Sequence, residues 1–192
     1  NHDNGNQTYQ RVTGGLKDFG VNAPIVFGRF NMGLSLQPYT NVGYGFTVSE
    51  AGPENSTAVT EVTGGGGIDR VSLNNAVRFG NLMLGLRFDY IFGSIQEEDR
   101  FFLDGLRPTA FGNSVVNGNA TFSQVTGSVG MVYKMLVGEF KYINFGGYYE
   151  PQYNLRQKTF ITLENQTGAC GVFSTDTLIN NVETQLTIPQ RL

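Results

Sequence analysis

Residues Asn81–Gly93 read N-L-M-L-G-L-R-F-D-Y-I-F-G, and this stretch decides the fold class. Its even positions are Leu82, Leu84, Leu86, Phe88, Tyr90 and Phe92. Its odd positions include Asn81, Gly85, Arg87, Asp89 and Gly93, with Met83 and Ile91 as apolar exceptions. Successive side chains of a β-strand point to opposite faces. One face is therefore continuously apolar and ends in aromatics, while the other carries charge and glycine.

Moving outward, Arg29–Val48 repeats the pattern. Phe30, Met32, Leu34 and Leu36 continue, after Pro38, as Val42, Tyr44, Phe46 and Val48, against polar odd positions. The phase of the sequence survives Pro38 and Tyr39. The reading is one long strand with a local bend, Pro38 sitting at a bulge or an unpaired position. In Asp69–Phe79, Val71, Leu73, Val77 and Phe79 oppose Arg70, Ser72, Asn74 and Arg78, and Asn75 interrupts the apolar face. Two later segments are weaker. Val125, Val129, Met131 and Tyr133 share a phase, as do Phe140, Tyr142 and Tyr148, but Ile143 and Phe145 blur the second set.

The connections add an independent argument. Strands at 10–24, 29–50, 58–78, 81–97, 119–134 and 138–160 leave short links at Ile25–Gly28, Phe79–Gly80 and Met135–Val137. The longer links are Ala51–Thr57, Glu98–Gly118 and Ile161–Thr177. Outer-membrane barrels alternate short periplasmic turns with longer outer loops. Strands near 20 residues also exceed the roughly 9–11 tilted residues that cross a bilayer. A seventh strand begins near Leu178. The fold class is all-β, an antiparallel transmembrane β-barrel in the outer membrane of a Gram-negative bacterium, with residues 1–192 as a single domain incomplete at both ends. The rival reading, a soluble β-sandwich, predicts that Leu82, Leu84, Leu86 and Phe88 pack against a second sheet.

Composition narrows the function. The chain carries 26 Gly and 24 Phe plus Tyr, which suits aromatic-rich strands with many turns. Its formal net charge is −3 and no Lys/Arg cluster occurs, so no nucleic-acid partner is expected. No run of 18 apolar residues is present, which does not bear on barrel strands. Asn1–Gln10 has neither a basic region nor an apolar stretch, so the chain is read as mature or partial. His2 is the only histidine and Cys170 the only cysteine, so a Ser-His-Asp site would have to use His2, a Cys-His site would need His2 with Cys170, and no His/Cys metal spacing exists. No catalytic site, metal or cofactor is expected. Asn6, Asn55, Asn119 and Asn165 each begin an N-x-Ser/Thr triplet, read as chance in an Asn/Thr-rich chain.

Two stretches resemble a known family. Gly33–Tyr44, G-L-S-L-Q-P-Y-T-N-V-G-Y, is similar to a strand of bacterial FadL-like outer-membrane proteins. Gly64–Ile95 resembles their glycine-rich strand, tight turn and following strand, and Thr187–Leu192 resembles the start of a later one. The resemblance implies a 14-stranded barrel, of which this chain holds six or seven strands. It implies a channel that passes hydrophobic small molecules such as long-chain fatty acids. The family's hatch and its Asn-Pro-Ala element do not occur here. Some relatives serve secretion machinery, so the alternative is a scaffold or partner subunit in surface assembly or protein secretion, with envelope proteins as partners.

The candidate sites follow from the phases. Arg70, Arg78, Arg87 and Asp89 share the lumen phase and could hold a carboxylate ligand, since arginine favours bidentate contacts; wall charges or ion pairs are the plainer reading. Gly64, Gly65, Gly66 and Gly67 mark a bend or bulge, or a kink that opens the wall sideways. Tyr44, Phe46, Leu84, Leu86, Phe88, Tyr90 and Phe92, with Tyr142 and Tyr148, are read as membrane-facing residues and aromatic girdles against outer-membrane lipid. Glu97, Glu98, Asp99 and Asp104 form an acidic cluster in the longest outer loop, read as a solvated loop in preference to a cation site.

Overall fold

The computed structural model describes residues 18–52, 57–104, 113–138, 141–167 and 172–192. They form β1 (Phe19–Val26), β2 (Phe30–Ala51), β3 (Thr57–Phe79), β4 (Leu82–Asp104), β5 (Asn113–Leu136), β6 (Tyr142–Tyr149), β7 (Tyr153–Thr167) and β8 (Val172–Ile188). All pair antiparallel in one sheet, in the order β1-β2-β3-β4-β5-β7-β8, with β6 also paired to β5. The chain is all-β, with the up-and-down order of an outer-membrane-type sheet. The sheet is open, and β1 and β8 stand at its edges.

The long strand expected at 138–160 is two strands. β6 covers Val129–Leu136 of β5, and β7 covers Asn113–Ser123 of the same strand. The paired numbers sum to 278 for Val129↔Tyr149 and to 279 for Ser123↔Arg156, so one extra residue intervenes. Pro151 lies in this break and brings no N–H to the ladder. The carboxylate-bearing Glu150 instead bonds backbone to backbone with Arg191, at 2.9 and 3.0 Å. Elsewhere the strands run further than expected: β4 reaches Asp104, where a loop was read from Glu98.

Directly opposed residues of an antiparallel pair share a face. One face therefore carries the rows Phe19–Leu36–Val71–Tyr90–Val125, Val21–Leu34–Leu73–Phe88–Gly127, Ala23–Met32–Asn75–Leu86–Val129–Tyr149 and Phe79–Leu82–Tyr133–Phe145. Asn75 is the only polar residue in them. The opposite face carries Gly20–Ser35–Ser72–Asp89–Thr126 and Asn22–Gly33–Asn74–Arg87–Ser128. Leu84, Leu86 and Phe88 are 40, 49 and 54% exposed and pack against no second sheet. Among the described residues no second sheet covers this face as a sandwich would, which leaves it free to meet lipid.

The apolar band is bounded at both ends. Aromatics close it at the tight-turn end (Phe79, Tyr133, Phe145) and at the other end (Phe19, Tyr90, Phe92). From Leu82 to Tyr90, at about 3.3 Å per residue and a tilt of roughly 40°, the vertical span is about 20 Å, and the next row, Pro38–Asp69–Phe92–Ser123, brings polar groups onto the same face. Beyond Phe92 the strands continue as a projecting sheet.

A line of irregularities crosses the sheet at that upper boundary. The β2–β3 register shifts by one residue between Pro38 and Thr40, so Tyr39 is the extra residue of a bulge. The bulge was legible in the sequence, but its effect on facing was not. Below it, Leu36 opposes Val71 and Val71 opposes Tyr90; above it, Tyr44 opposes Gly64 and Gly64 opposes Glu97. The β3–β4 register never shifts. Tyr90 and Glu97 therefore lie on opposite faces of β4, and Tyr44 and Phe46 share the face of Asp89. They do not continue the surface of Leu84 and Leu86, as unbroken sequence phase suggested.

Gly66 sits on the same line with φ of 120°. A Cβ there would run into the Ser94 carbonyl of β4. Pairing is continuous across Gly64, Gly65, Gly66 and Gly67 on both sides. The sideways opening read from these glycines is thus replaced by a bend inside an intact ladder.

Candidate functional site

The polar face concentrates charge where lipid cannot reach it. Asp89 is 1% exposed and Glu150 4%. Strand alternation puts Arg87 and Asp89 on the same face of β4, and Arg87 Nε donates to Asp89 Oδ2 at 2.8 Å. A second Arg87 nitrogen donates to the Tyr148 hydroxyl at 3.1 Å, and that hydroxyl donates to Glu150 Oε2 at 2.5 Å. The guanidinium also stands 3.6 Å from Glu150 and 5.8 Å from the Tyr148 ring centre. One cation thus serves two buried carboxylates, bringing together β4, β6 and the break after it. Burying carboxylates is costly unless they are paired and hydrogen-bonded, and this cluster meets that need except at Asp89 Oδ1, which is buried without a partner.

Beside this cluster is a hollow of about 320 Å³ lined by Asn22, Asn31, Asn74, Arg87, Ser128 and Tyr148 among others. Its carboxamides, hydroxyls and guanidinium suit a polar guest.

A second group lies toward the upper boundary. Arg70 donates to Gln37 at 2.8 Å and stands 5.9 Å from the Tyr39 ring centre. The Tyr39 and Tyr153 hydroxyls are 3.3 Å apart. Buried Ile68, Ile91, Phe122 and Leu155 form a small apolar cluster next to these residues, with Tyr39, Tyr153 and Ile188 packed on it. The bulge is what turns Tyr39 toward this cluster.

The four residues read as one lumen site therefore occupy three places. Arg87 and Asp89 join Tyr148 and Glu150, Arg70 joins Gln37 and Tyr39, and Arg78 donates to the Gly80 carbonyl at the tight-turn end. Tyr148, placed in a girdle by its phase with Tyr142, lies on the charged face, and Tyr142 lies with it, its ring under Lys134 Nζ at 3.8 Å. The outer positions belong to Ile143, Phe145 and Tyr149, which had blurred the pattern. Glu150 was missed; the signal was available, an acidic residue directly before proline within a strand.

Above the membrane band, Tyr44 and Phe46 stack at 6.3 Å, and the Tyr44 hydroxyl donates to Glu97 at 3.0 Å. Glu97 accepts that bond and also repels charge on the phenol, so the Tyr44 pKa is raised. Burial, and then Glu97, raise the Asp99 pKa. Glu97, Glu98 and Asp99 are strand residues on alternating faces, not a loop cluster, and Glu98 pairs with Arg100. The side chain of Asp104 lies outside the described residues. Among the described residues no group of His, Cys, Asp or Glu is arranged to hold a metal ion.

Comparison with known proteins corrects the resemblance drawn from the strand motifs. No curated protein and no solved structure matches the chain. The family model that does match is not FadL-like, so the 14-strand count and the hydrophobic-channel role implied by that likeness fall with it. Glycine-rich tight turns and aromatic strand ends are common to barrel strands generally, which is why the motifs pointed to the wrong family. The model is that of BamG and it spans residues 1–192, so the chain belongs to the BamG family.

Proposed function

We propose that this protein is a partner subunit of the outer-membrane protein-assembly machinery, the BAM complex, in a Gram-negative outer membrane. The observation that carries the reading is the family match along the whole chain, since BamG is a family associated with that complex. The sheet supports it: one face carries an apolar band, and the strands project well past that band as a surface for other envelope proteins. The role is scaffolding, not catalysis. A buried charge cluster of Arg87, Asp89 and Glu150 rigidifies the sheet, as expected of a structural wall.

The test is co-isolation. A tagged full-length protein, crosslinked in native outer membranes and purified in detergent, is expected to bring down the other BAM subunits in fixed ratio. Depleting it is expected to lower the amount of folded outer-membrane proteins in the same cells. Purification as a free monomer, with unchanged levels of folded outer-membrane proteins after depletion, would overturn the proposal.

A further inference from the structure

Three rows of residues on the polar face form a trough near the tight-turn end. Its floor is Asn31–Ala76–Gly85–Gly130, which runs across β2 to β5 and ends at Tyr148 of β6. The middle of this floor carries a methyl group or no side chain. One wall is Asn22–Gly33–Asn74–Arg87–Ser128, on the side of the buried charge cluster. The other wall is Arg29, Arg78 and Met83, nearer the turns; the Arg78 amide donates to the Arg29 carbonyl at 2.7 Å, and Arg78 opposes Met83. Asn74 and Arg78 are four residues apart on β3, so the walls stand about 13 Å apart. The hollow of about 320 Å³ beside Arg87 joins a second, of about 280 Å³, between Pro24, Arg29 and Arg78, since Asn31 and Ala76 line both.

The trough is short of negative charge and of N–H donors. No Asp or Glu occurs in its three rows. Arg87 is engaged by Asp89 and Glu150. Arg29 and Arg78 have no carboxylate within 4 Å among the described residues, and Arg78 uses only its Nε, on the Gly80 carbonyl. Lys134, one row nearer the turns on the same face, adds a third cation. In the floor, Asn31 Oδ1 is buried with no hydrogen-bond partner. A buried carbonyl oxygen of this kind is costly until a donor reaches it.

A small anion would satisfy the arginines and leave Asn31 as it is. An extended peptide satisfies both. Its backbone N–H groups reach the Asn31 oxygen, the carboxamides of Asn22 and Asn74 donate and accept in return, and its acidic side chains meet the arginines. We infer that the trough is a docking site for an acidic peptide segment of a periplasmic partner. The segment lies across the strands over Ala76, Gly85 and Gly130, with its carboxylates on Arg29 and Arg78. The inference rests on the reading of the chain as a partner subunit whose tight turns face the periplasm. Beyond the other wall, Asp89 and Glu150 outnumber Arg87 and repel carboxylates, which fixes the edge of the peptide that is acidic.

The experiment titrates the full-length protein, purified in a neutral detergent, with a peptide of alternating Glu and Gly and follows binding by calorimetry. The matching Gln–Gly peptide is expected to bind at least about tenfold more weakly, the factor that one charge-assisted contact supplies. Arg29→Gln/Arg78→Gln is expected to lose this preference and to bind the Gln–Gly peptide as wild type does. Gly85→Leu fills the floor at a position where an added Cβ meets nothing closer than 3.8 Å, and it is expected to abolish binding of both peptides. Either variant decides the matter should the other not fold. Equal binding of the two peptides by wild type, a preference retained by the arginine variant, undiminished binding by Gly85→Leu, or no binding at all overturns the inference. So does displacement of the peptide by an equal concentration of inorganic phosphate, which would mark a site for free anions. A protein that binds the peptide without co-purifying with the other BAM subunits keeps the trough and loses the assembly role; one that co-purifies and binds no peptide loses the trough alone.

Discussion

Arg87 and Asp89 stand two residues apart on one face of β4, their Nε and Oδ2 atoms 2.8 Å apart, with the carboxylate wholly buried and the guanidinium side chain a quarter exposed. Arg87 is the only cation within 4 Å of Asp89 or of Glu150 among the described residues. Removing it alone leaves two buried carboxylates without a counter-charge. Arg87→Ala should cost about 3 kcal/mol, the lower end for a broken buried pair because the arginine reaches solvent. Asp89→Asn should cost less, since it removes a charge and leaves Arg87 paired with Glu150. Urea unfolding in vesicles measures both; an Arg87→Ala variant as stable as wild type would show that the cluster is solvated.

The two faces of β4 should answer oppositely to an inserted charge. Leu86 lies near mid-height of the apolar band, opposed to Asn75 and Val129. Leu86→Arg should destabilise the inserted protein by about 2–4 kcal/mol, the cost of an arginine on a lipid face at the midplane. Asn22→Arg, on the polar face of exposed β1, should cost well under 1 kcal/mol, as surface changes do. Equal effects at the two positions would mean that lipid does not cover the Leu86 face.

A third prediction concerns what sequence phase can and cannot reveal. Phe46 and Phe88 are both even-numbered aromatics in apolar-alternating strands. A fluorophore on Phe88→Cys should be quenched by nitroxides on lipid acyl chains, and one on Phe46→Cys should not. The alternation around Leu84 was legible because every outward position there must satisfy lipid, which leaves a clean period of two. The face of Phe46 was not legible, because the bulge at Tyr39 reverses facing without disturbing the order of residues. Beyond the band both faces meet water and protein, so alternation no longer reports which side is which. The same limit hid Tyr148: odd and even positions of β6 are both aromatic, and only pairing to β5 separates them. Arg87 with Asp89 was visible as a same-face pair, while Glu150 reaches them only through the break at Pro151. Quenching of both labels would place residue 46 in the bilayer and restore the simpler reading.

Gly64 provides the floor for the Tyr44 ring. A Cβ at this position would collide with the ring, so Gly64→Ala must move Tyr44 off its seat and away from Glu97. The Tyr44 pKa is raised first by the hydrogen bond to Glu97, then by burial, then by the negative charges of Glu97 and Asp99. Because the folded-state pKa lies above that of the unfolded chain, the contribution of Tyr44 to stability is present below the ordinary phenol range. It is lost as pH rises through the raised value. Gly64→Ala and Glu97→Gln should both bring the Tyr44 pKa back toward that of an exposed phenol, so both should lower stability below the phenol range and flatten its alkaline decline. Carbon-13 labelling of the tyrosine ring, with Tyr44→Phe to assign the signal, follows the titration directly. A Tyr44 resonance that titrates at the same pH in wild type and in Glu97→Gln would show that the hydrogen bond does not hold the phenol.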